Sequence, residues 1–415
     1  MSGKEFFQAV SLEEARAFSM LFEPRGRETV PLGRGLFRVL AESIESPEDV
    51  PGFPRSTMDG FAVAAASTFG ASLSNPALLE VAGSVSMGRA PDFSVGQGCC
   101  GRIPTGGMLP RGADAVVMVE HTEEVDDRFV ECYRSVAPGD HVILAGDDVA
   151  RGETLLAAGH RLRPQDLAFL AGAGVTHLPV FPPVRVAVLS TGDEIAAPGG
   201  RLSQGMIRDM NGEGLAALCR SIHAEPSFAG IVKDDPELLY RACSEALKQS
   251  DMLLVSGGSS VGGRDHTLEA IQKLPGTRVC FHGVAMSPGK PTILAQTDGK
   301  AVFGLPGHVA SCMVVFLELV RPFLDRMAGL GPDMARRFPV PATLTRNIAS
   351  KQGRADFVRV RLLPGPEGLL AEPVIGKSGE VRTLVASDGL VRIEAGCEGL
   401  YEGDRVLVDL FPGHE

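Results

Sequence analysis

Between Val184 and Leu305 the sequence repeats one unit: a short apolar run, a loop of Gly, Ser and Thr, then a stretch with helical spacing. The runs VRVAVLS (184–190), MLLVS (252–256) and AVFGL (301–305) have the length and near-continuous hydrophobicity of strands buried on both faces. Leu215, Leu218, Cys219 and Ile222 give one helix face. Asp235-Pro236 opens another helix, with Leu239, Ala242 and Ala246 inward, and residues 265–274 are helical again. Strands that alternate with helices close into an open, mainly parallel sheet, because a parallel crossover needs a helix-length connection.

In such a sheet, ligands bind beyond the carboxyl ends of the strands. Three segments end a strand there: Ser190-Thr191-Gly192-Asp193-Glu194, Ser256-Gly257-Gly258-Ser259-Ser260 and Gly304-Leu305-Pro306-Gly307-His308. Gly lets backbone N–H groups approach a ligand, and the helix start that follows favours phosphate. Thr191, Gly192, Ser256, Gly257, Gly258, Ser260, Pro306 and Gly307 are therefore candidate binding residues. Each loop alone is also a tight turn, and only three on consecutive strand ends make a site. Lys290, in Ser287-Pro288-Gly289-Lys290-Pro291, has a backbone restricted by flanking prolines and would supply positive charge to a phosphate or oxyanion. Pro288 and Gly289 join the binding set on that basis, although a solvated loop lysine fits the local sequence equally. Arg208 and Arg264 are second candidates for the same task.

The carboxylates divide by position. Asp265 precedes a helix, so it reads equally as an N-cap and as a ligand, and Asp235 before Pro236 reads as a cap. Glu194 has no capping duty and is a candidate Mg2+ ligand or hydrogen-bond acceptor. The nine histidines lack H-E-x-x-H or comparable spacing, which argues against zinc. Neither G-x-S-x-G nor G-x-x-x-x-G-K-[ST] occurs, which argues against α/β-hydrolase and P-loop chemistry.

The rest of the chain has different patterns. Ser11 and Glu14 form an S-x-x-E capping box that opens a helix through Phe22, and VPLGRGLFRVLAESIES reads as a second short helix. Residues 51–145 turn to alternating and β-branched runs (VAGSVSMG, DAVVMVEHT, RFVECYRSV), and residues 163–175 return to helical spacing. Short alternating strands with close turns over 338–412 read as a small β-barrel or sandwich. The expected organisation is a helical segment (1–50 plus 146–180), an inserted β-rich lobe (51–145), an α/β domain (181–331) and a C-terminal β domain (332–415).

With a formal charge of −11 the chain lacks the basic balance of a nucleic-acid binder, and an anionic substrate must be held by local donors. Eight cysteines without a C-x-x-C pair read as reduced, packed thiols. The N-terminus has no apolar leader and the most apolar stretch, Cys312 to Val320, is broken by Glu318, so no membrane span and a cytoplasmic location are expected.

Together these segments resemble the molybdopterin molybdenumtransferase family, of the MoeA and gephyrin E-domain type. The likeness rests on STMDGFAV (56–63), TGGMLPRGADAVV (105–117), STGDE (190–194) and PGKP (288–291), and it runs from SLEEA near residue 12 to the last strands. It implies a four-part subunit and a homodimer whose active site lies between the α/β domain of one subunit and the β lobe of the other. The implied reaction takes adenylylated molybdopterin and molybdate to molybdenum cofactor and AMP, with Mg2+. Carried over by position, Asp59 and Thr105 reach in from the partner's lobe, while Glu194, Asp265 and Lys290 serve the α/β domain as catalytic residues. Glu194, Asp234 and Asp265 are the implied metal ligands. Asp148 and Ser378 match further family positions. Contact with the upstream adenylyltransferase and with downstream molybdoenzymes is a further implication.

The chain departs from the family pattern at four places. Ser287 and Leu268 stand at or near positions where the family commonly has lysine, His308-Val309 replaces Asn-Pro, and Pro54 replaces Asp or Asn. Fewer lysines mean less positive charge for an anion. The run GGRDHTLEA (262–270) also resembles molybdopterin adenylyltransferases, which keeps that earlier step as an alternative. A tungstate-preferring paralogue and a non-catalytic scaffold are the others.

Overall fold

The computed structural model describes residues 9–257, 265–332, 334–335 and 337–413. Its centre is a six-stranded sheet. In chain order the first strands are β10 (Arg185–Thr191), β11 (Glu225–Val232) and β12 (Met252–Ser256), followed by β13 (Thr277–His282), β14 (Ile293–Thr297) and β15 (Lys300–Leu305). The spatial order is β11-β10-β12-β15-β14-β13. The first four strands pair in parallel, whereas β14 and β13 pair antiparallel at one edge. The mainly parallel sheet read from the sequence is thus present.

Alternation along β10 shows why this sequence makes a three-layer sandwich. Val186 and Val188 enter the core beneath α3 (Asn211–Ser221) and α6 (Val309–Val315). Ala187 and Leu189 enter the opposite core beneath α4 (Pro236–Gln249) and α5 (His266–Gln272). A strand sends successive side chains to opposite faces, so a run apolar at every position needs cover on both. Each fully buried Val or Leu contributes about 1.5–3 kcal/mol relative to exposure. In α4 the fully buried residues are Leu239, Cys243 and Leu247, one residue round from the Ala242 and Ala246 of the expected face, which are only partly buried.

The N-terminal segment differs from its reading. Ser11 and Glu14 do form a reciprocal capping box, but α1 (Leu12–Ala17) is short and continues as a 3-10 turn over Phe18–Leu21. The segment expected as a second helix is instead β1 (Glu28–Pro31), a turn at Leu32–Arg34 and β2 (Val39–Leu40), both strands pairing with β9 (His177–Phe181). Gly33 and Gly35 weaken any helix there, and Gly35 packs so tightly that an added Cβ would lie 2.4 Å from Leu178. Of the expected helical pieces, α2 (Pro164–Gly172) is formed.

The inserted lobe carries β3 (Gly60–Val63), β4 (Ala77–Ser84), β5 (Cys99–Ile103), β6 (Ala115–Met118), β7 (Thr122–Glu124) and β8 (Phe129–Cys132), in the order β6-β3-β5-β4-β8-β7. The C-terminal strands are β16 (Val340–Leu344), β17 (Ala355–Gly365), β18 (Gly368–Pro373), β19 (Gly389–Ile393) and β20 (Arg405–Leu410). They run β17-β18-β16-β20-β19, and β19 pairs back to β17, closing a five-stranded barrel. Buried Glu318, in the π turn between α6 and α7 (Arg321–Met327), takes Arg16 of α1 at 2.7 Å and Arg337 at 2.8 Å, so one carboxylate ties the chain start to the barrel linker. All eight cysteines are free, and burial pushes the Cys219, Cys243 and Cys312 thiols up to about 12. No helix among the described residues is long and apolar enough to cross a membrane.

Candidate functional site

Strands β10, β12 and β15 end together, and their loops are cross-tied by buried polar groups. Ser190 Oγ donates to Asp209 Oδ2 at 2.7 Å, and Asp209 Oδ1 accepts the N–H groups of Asn211 and Gly212 at 3.0 and 3.1 Å. Asn211, the first residue of α3, donates from Nδ2 to Ser256 Oγ at 2.6 Å and to Gly307 O at 2.8 Å. One amide therefore holds the ends of β12 and β15 to the start of α3. The Gly307 carbonyl only accepts, which fixes the orientation of the amide. Asn211 Oδ1 is buried and accepts no hydrogen bond from the described residues.

The glycines show how close these loops lie. Gly257 has φ +106°, and a Cβ there would sit 2.2 Å from the Thr191 carbonyl oxygen. Its N–H donates to Leu305 O at 3.2 Å and its carbonyl accepts from Thr267 Oγ1 at 3.1 Å. Thr191 Oγ1 donates to Asp234 Oδ1 at 2.8 Å, so the β11 loop joins the same network. Of the candidate binding residues, Thr191, Gly192, Ser256, Gly257 and Gly307 stand in this cradle, with Pro306 in the same β15 loop. Gly258, Ser260 and the second-rank Arg264 lie outside the described residues.

Lys290 follows Met286–Ser287, a short strand that pairs in parallel with Ala355–Asp356 of β17. Gly289, at φ +125°, would place a Cβ 2.4 Å from Val315 of α6. The loop with Pro288 is thus pinned between the α/β core and the barrel, while the Lys290 side chain is exposed and makes no ion pair among the described residues. Glu194 is also exposed, with no hydrogen bond to its carboxylate among the described residues, and it folds back over Gly192. Asp265 Oδ1 caps α5 by accepting the Leu268 N–H at 3.0 Å, and its Oδ2 lies 3.4 Å from His282 Nε2. Asp235 caps α4 through Glu237 and Leu238. Arg208 spends its guanidinium on its own loop, donating to Pro198 O at 2.8 Å.

The lobe residues are separate. Asp59 Oδ1 accepts the Thr105 N–H at 2.7 Å, which joins the two lobe loops into one exposed unit. Gly60 behind them must be glycine, because a Cβ would lie 2.0 Å from Val117 O. Among the described residues, no hydrogen bond or ion pair of Asp59 or Thr105 reaches the α/β domain of the same chain. Asp148 sits where the lobe rejoins the N-terminal segment, its N–H on Val50 O. Ser378 of the C-terminal domain meets His308 Nδ1 at 2.8 Å and accepts the Ala310 N–H with its carbonyl at 3.1 Å. Among the described residues no three His, Cys, Asp or Glu side chains converge as a metal cage.

Asp209 and Asn211 were not singled out by sequence. Their signal was Asp-x-Asn-Gly ahead of a helical stretch, a pattern that ordinarily marks only a helix start.

The arrangement is that of an α/β protein whose candidate ligand site lies at the carboxyl ends of parallel strands, with a lobe and a barrel added. Family models match nearly the whole chain: "MoeA N-terminal region (domain I and II)" over residues 10–174, "Probable molybdopterin binding domain" over 187–326 and "MoeA C-terminal region (domain IV)" over 341–411. The chain is 34% identical over 405 residues to the molybdopterin molybdenumtransferase of Bacillus subtilis, covering 96% of this chain and 93% of that one. It is 32% identical over 385 residues to the Staphylococcus aureus protein of the same name, covering 92% and 90%. A crystal structure of a molybdopterin biosynthesis MoeA protein from Pyrococcus horikoshii superposes with a TM-score of 0.82 at 39% identity, covering 98% of this chain and all of that one. The chain belongs to the molybdopterin molybdenumtransferase (MoeA) family, and its place is in molybdenum cofactor biosynthesis.

Proposed function

We propose that the chain inserts molybdate into adenylylated molybdopterin, giving molybdenum cofactor and releasing AMP. The observation that carries this reading is the strand-end cradle, in which Asn211 locks two glycine loops together, and the exposed Lys290, which has no ion pair among the described residues, is assigned to supply the charge. An oxygen of molybdate or water forms the new bond to the pterin phosphorus as the phosphoanhydride to the adenylate breaks, so AMP leaves with the electron pair of the broken P–O bond. Such cleavage depends on placement and on donors aimed at the charge that develops on oxygen. Thr191, Gly192, Ser256, Gly257 and Gly307 supply the bed, with Pro306 in the β15 loop. Lys290, held by Pro288 and Gly289, supplies the cation.

Mg2+ fits this donor set in one specific way. The described residues offer hard oxygen ligands but no closed cage, and Mg2+ is commonly held by one or two carboxylates together with substrate phosphates and water. Glu194 and Asp234 would hold it, with Asp265 contributing when released from its cap on α5. When bound, the ion neutralises phosphate charge. Asp59 and Thr105 complete the site from the lobe of a second subunit, which makes the functional unit a homodimer in the cytoplasm.

The test is AMP release by the purified protein supplied with adenylylated molybdopterin and Mg2+, with and without molybdate. Release that depends on molybdate is the expected result. An equal rate without any oxyanion would overturn the assignment.

A further inference from the structure

We propose a second ligand site, for a mononucleotide, in the cleft where the N-terminal segment meets the opposite end of the α/β sheet. The cleft has a volume of about 280 Å³ and is built from both parts of the chain: Phe37, Arg38 and Arg161 on one side, Arg220, His223 and Glu225 on the other. It lies at the amino ends of β10 and β11, away from the strand-end cradle, because Val184 and Glu225 flank those starts. The site is independent of the proposed reaction.

Charge is the first argument. Three guanidinium groups and one carboxylate line the cleft, on a chain whose net charge is −11. Arg38 is neutralised by Glu28 and the Phe181 carbonyl. Arg161 makes one long contact, 3.4 Å to Asp325, and leaves its buried Nε without a partner. Arg220 is exposed and has no ion pair among the described residues. Buried polar groups are ordinarily satisfied, so an under-used guanidinium beside an unpaired one marks a place for an anion.

The second argument is conformational. Phe37 and His223 stack face to face across the boundary between the two parts, with ring centroids 4.1 Å apart and planes 10° from parallel. Both have left-handed backbone, at φ 62° and φ 67°. His223 follows the end of α3, and Ala224 N–H returns to Cys219 O, a helix stop that glycine would make without steric cost. A left-handed phenylalanine opposite it is rarer still, and each such residue costs about 1–3 kcal/mol unless its surroundings impose it. Two bulky rings kept in that conformation, exposed and stacked, form a platform for a flat ring. The cleft is at the lower edge of the range of about 300–1,000 Å³ usual for small-molecule sites, which suits one nucleotide and not two. A base stacked on the platform would present its phosphate to Arg220 and Arg161.

The test is calorimetric titration of the full-length protein with AMP, with adenosine and inorganic phosphate as the two halves. A K290A background removes the lysine proposed for the strand-end site. In that background AMP should still bind saturably, and at least tenfold more tightly than either half. Arg220→Glu should weaken it at least tenfold, and Phe37→Gly, which keeps the left-handed backbone but removes the ring, should do the same. Neither substitution should change molybdate-dependent AMP release. Loss of all AMP binding in K290A alone, or affinity unmoved by both Arg220→Glu and Phe37→Gly, overturns the proposal. If the proposed reaction fails instead, the Arg220-dependent binding persists, so the two failures are distinguishable.

Discussion

The strand-end loops and the lobe loops carry comparable residue types, yet they are built in opposite ways. In the α/β domain Ser190, Thr191, Asn211 and Ser256 are all buried, and each is fixed by a side-chain hydrogen bond between elements distant in sequence. In the lobe Asp59 and Thr105 are exposed and share one hydrogen bond. The first arrangement is preorganised by its own subunit. The second is presented outward, where the proposed second subunit would complete it. Substitutions in the two regions should therefore divide into those that damage fold and activity together and those that damage activity alone.

The largest effect is expected at Gly257. A Cβ placed 2.2 Å from the Thr191 carbonyl oxygen cannot be accommodated by rotating a side chain, and φ +106° disfavours any L-residue. Gly257→Ala should cost roughly 3–5 kcal/mol, the sum of overpacking and backbone strain, and should abolish AMP release. Urea unfolding monitored beside the wild-type chain measures it. Asn211→Ala comes next. Loss of two buried hydrogen bonds, with the Gly307 carbonyl left unpaired, should cost about 2–4 kcal/mol, and turnover should fall with stability. A stable, inactive Asn211→Ala would separate the staple from the fold and weaken the comparison.

The parallel sheet was legible because a strand covered on both faces must be apolar at every position, and Val186 to Leu189 are. Strand-end glycines were legible for a related reason, since Gly257 has no local purpose other than close approach. The N-terminal strands were not. Leu32, Leu36, Val39 and Leu40 have helical spacing, but their partners in β9 lie more than a hundred residues later, and long-range pairing leaves no local period. Asn211 escaped for the same reason: its amide acts on Ser256 and Gly307, remote in sequence, while its neighbours look like an ordinary helix start. Asp265 stood open between cap and ligand, and the structure gives it the cap, with one oxygen facing His282.

Asp166 tests whether buried hydrogen bonding by itself signals chemistry. At the start of α2 it accepts from Arg163 and His160. Burial works against its charged form, but those donors outweigh it and hold the carboxyl at about 2, below the ordinary value of 3.8. A depressed carboxyl contributes stability above its unfolded value and loses it as pH falls through the folded one. Wild-type stability should therefore drop between about pH 4 and 2, and Asp166→Asn should flatten that part of the curve. Asp166→Ala should cost about 2 kcal/mol, as the depressed carboxyl implies, with AMP release at neutral pH unchanged. A comparable loss of turnover would mean that the N-terminal segment enters the reaction.

The smallest effect on stability is expected at Asp59, and it is the most informative. Exposed and holding one backbone N–H, its replacement by Ala should change unfolding by less than about 0.5 kcal/mol. AMP release should nonetheless fall on the order of 100-fold, because a positioned carboxylate typically contributes that much or more. If the lobe serves the neighbouring subunit, Asp59→Ala and Lys290→Ala damage different halves of one composite site. Equal amounts, unfolded together and refolded, should then form mixed dimers in about half of all cases, each with one intact site of two. Activity should recover to about one quarter of wild type, although each variant alone is inactive. Because the two residues lie in different subunits at any one site, recovery is possible only when the site crosses the interface. A mixture as inactive as its components would instead place Asp59 and Lys290 in the same subunit's site, and the contrast between a fixed half and a presented half would have to be abandoned.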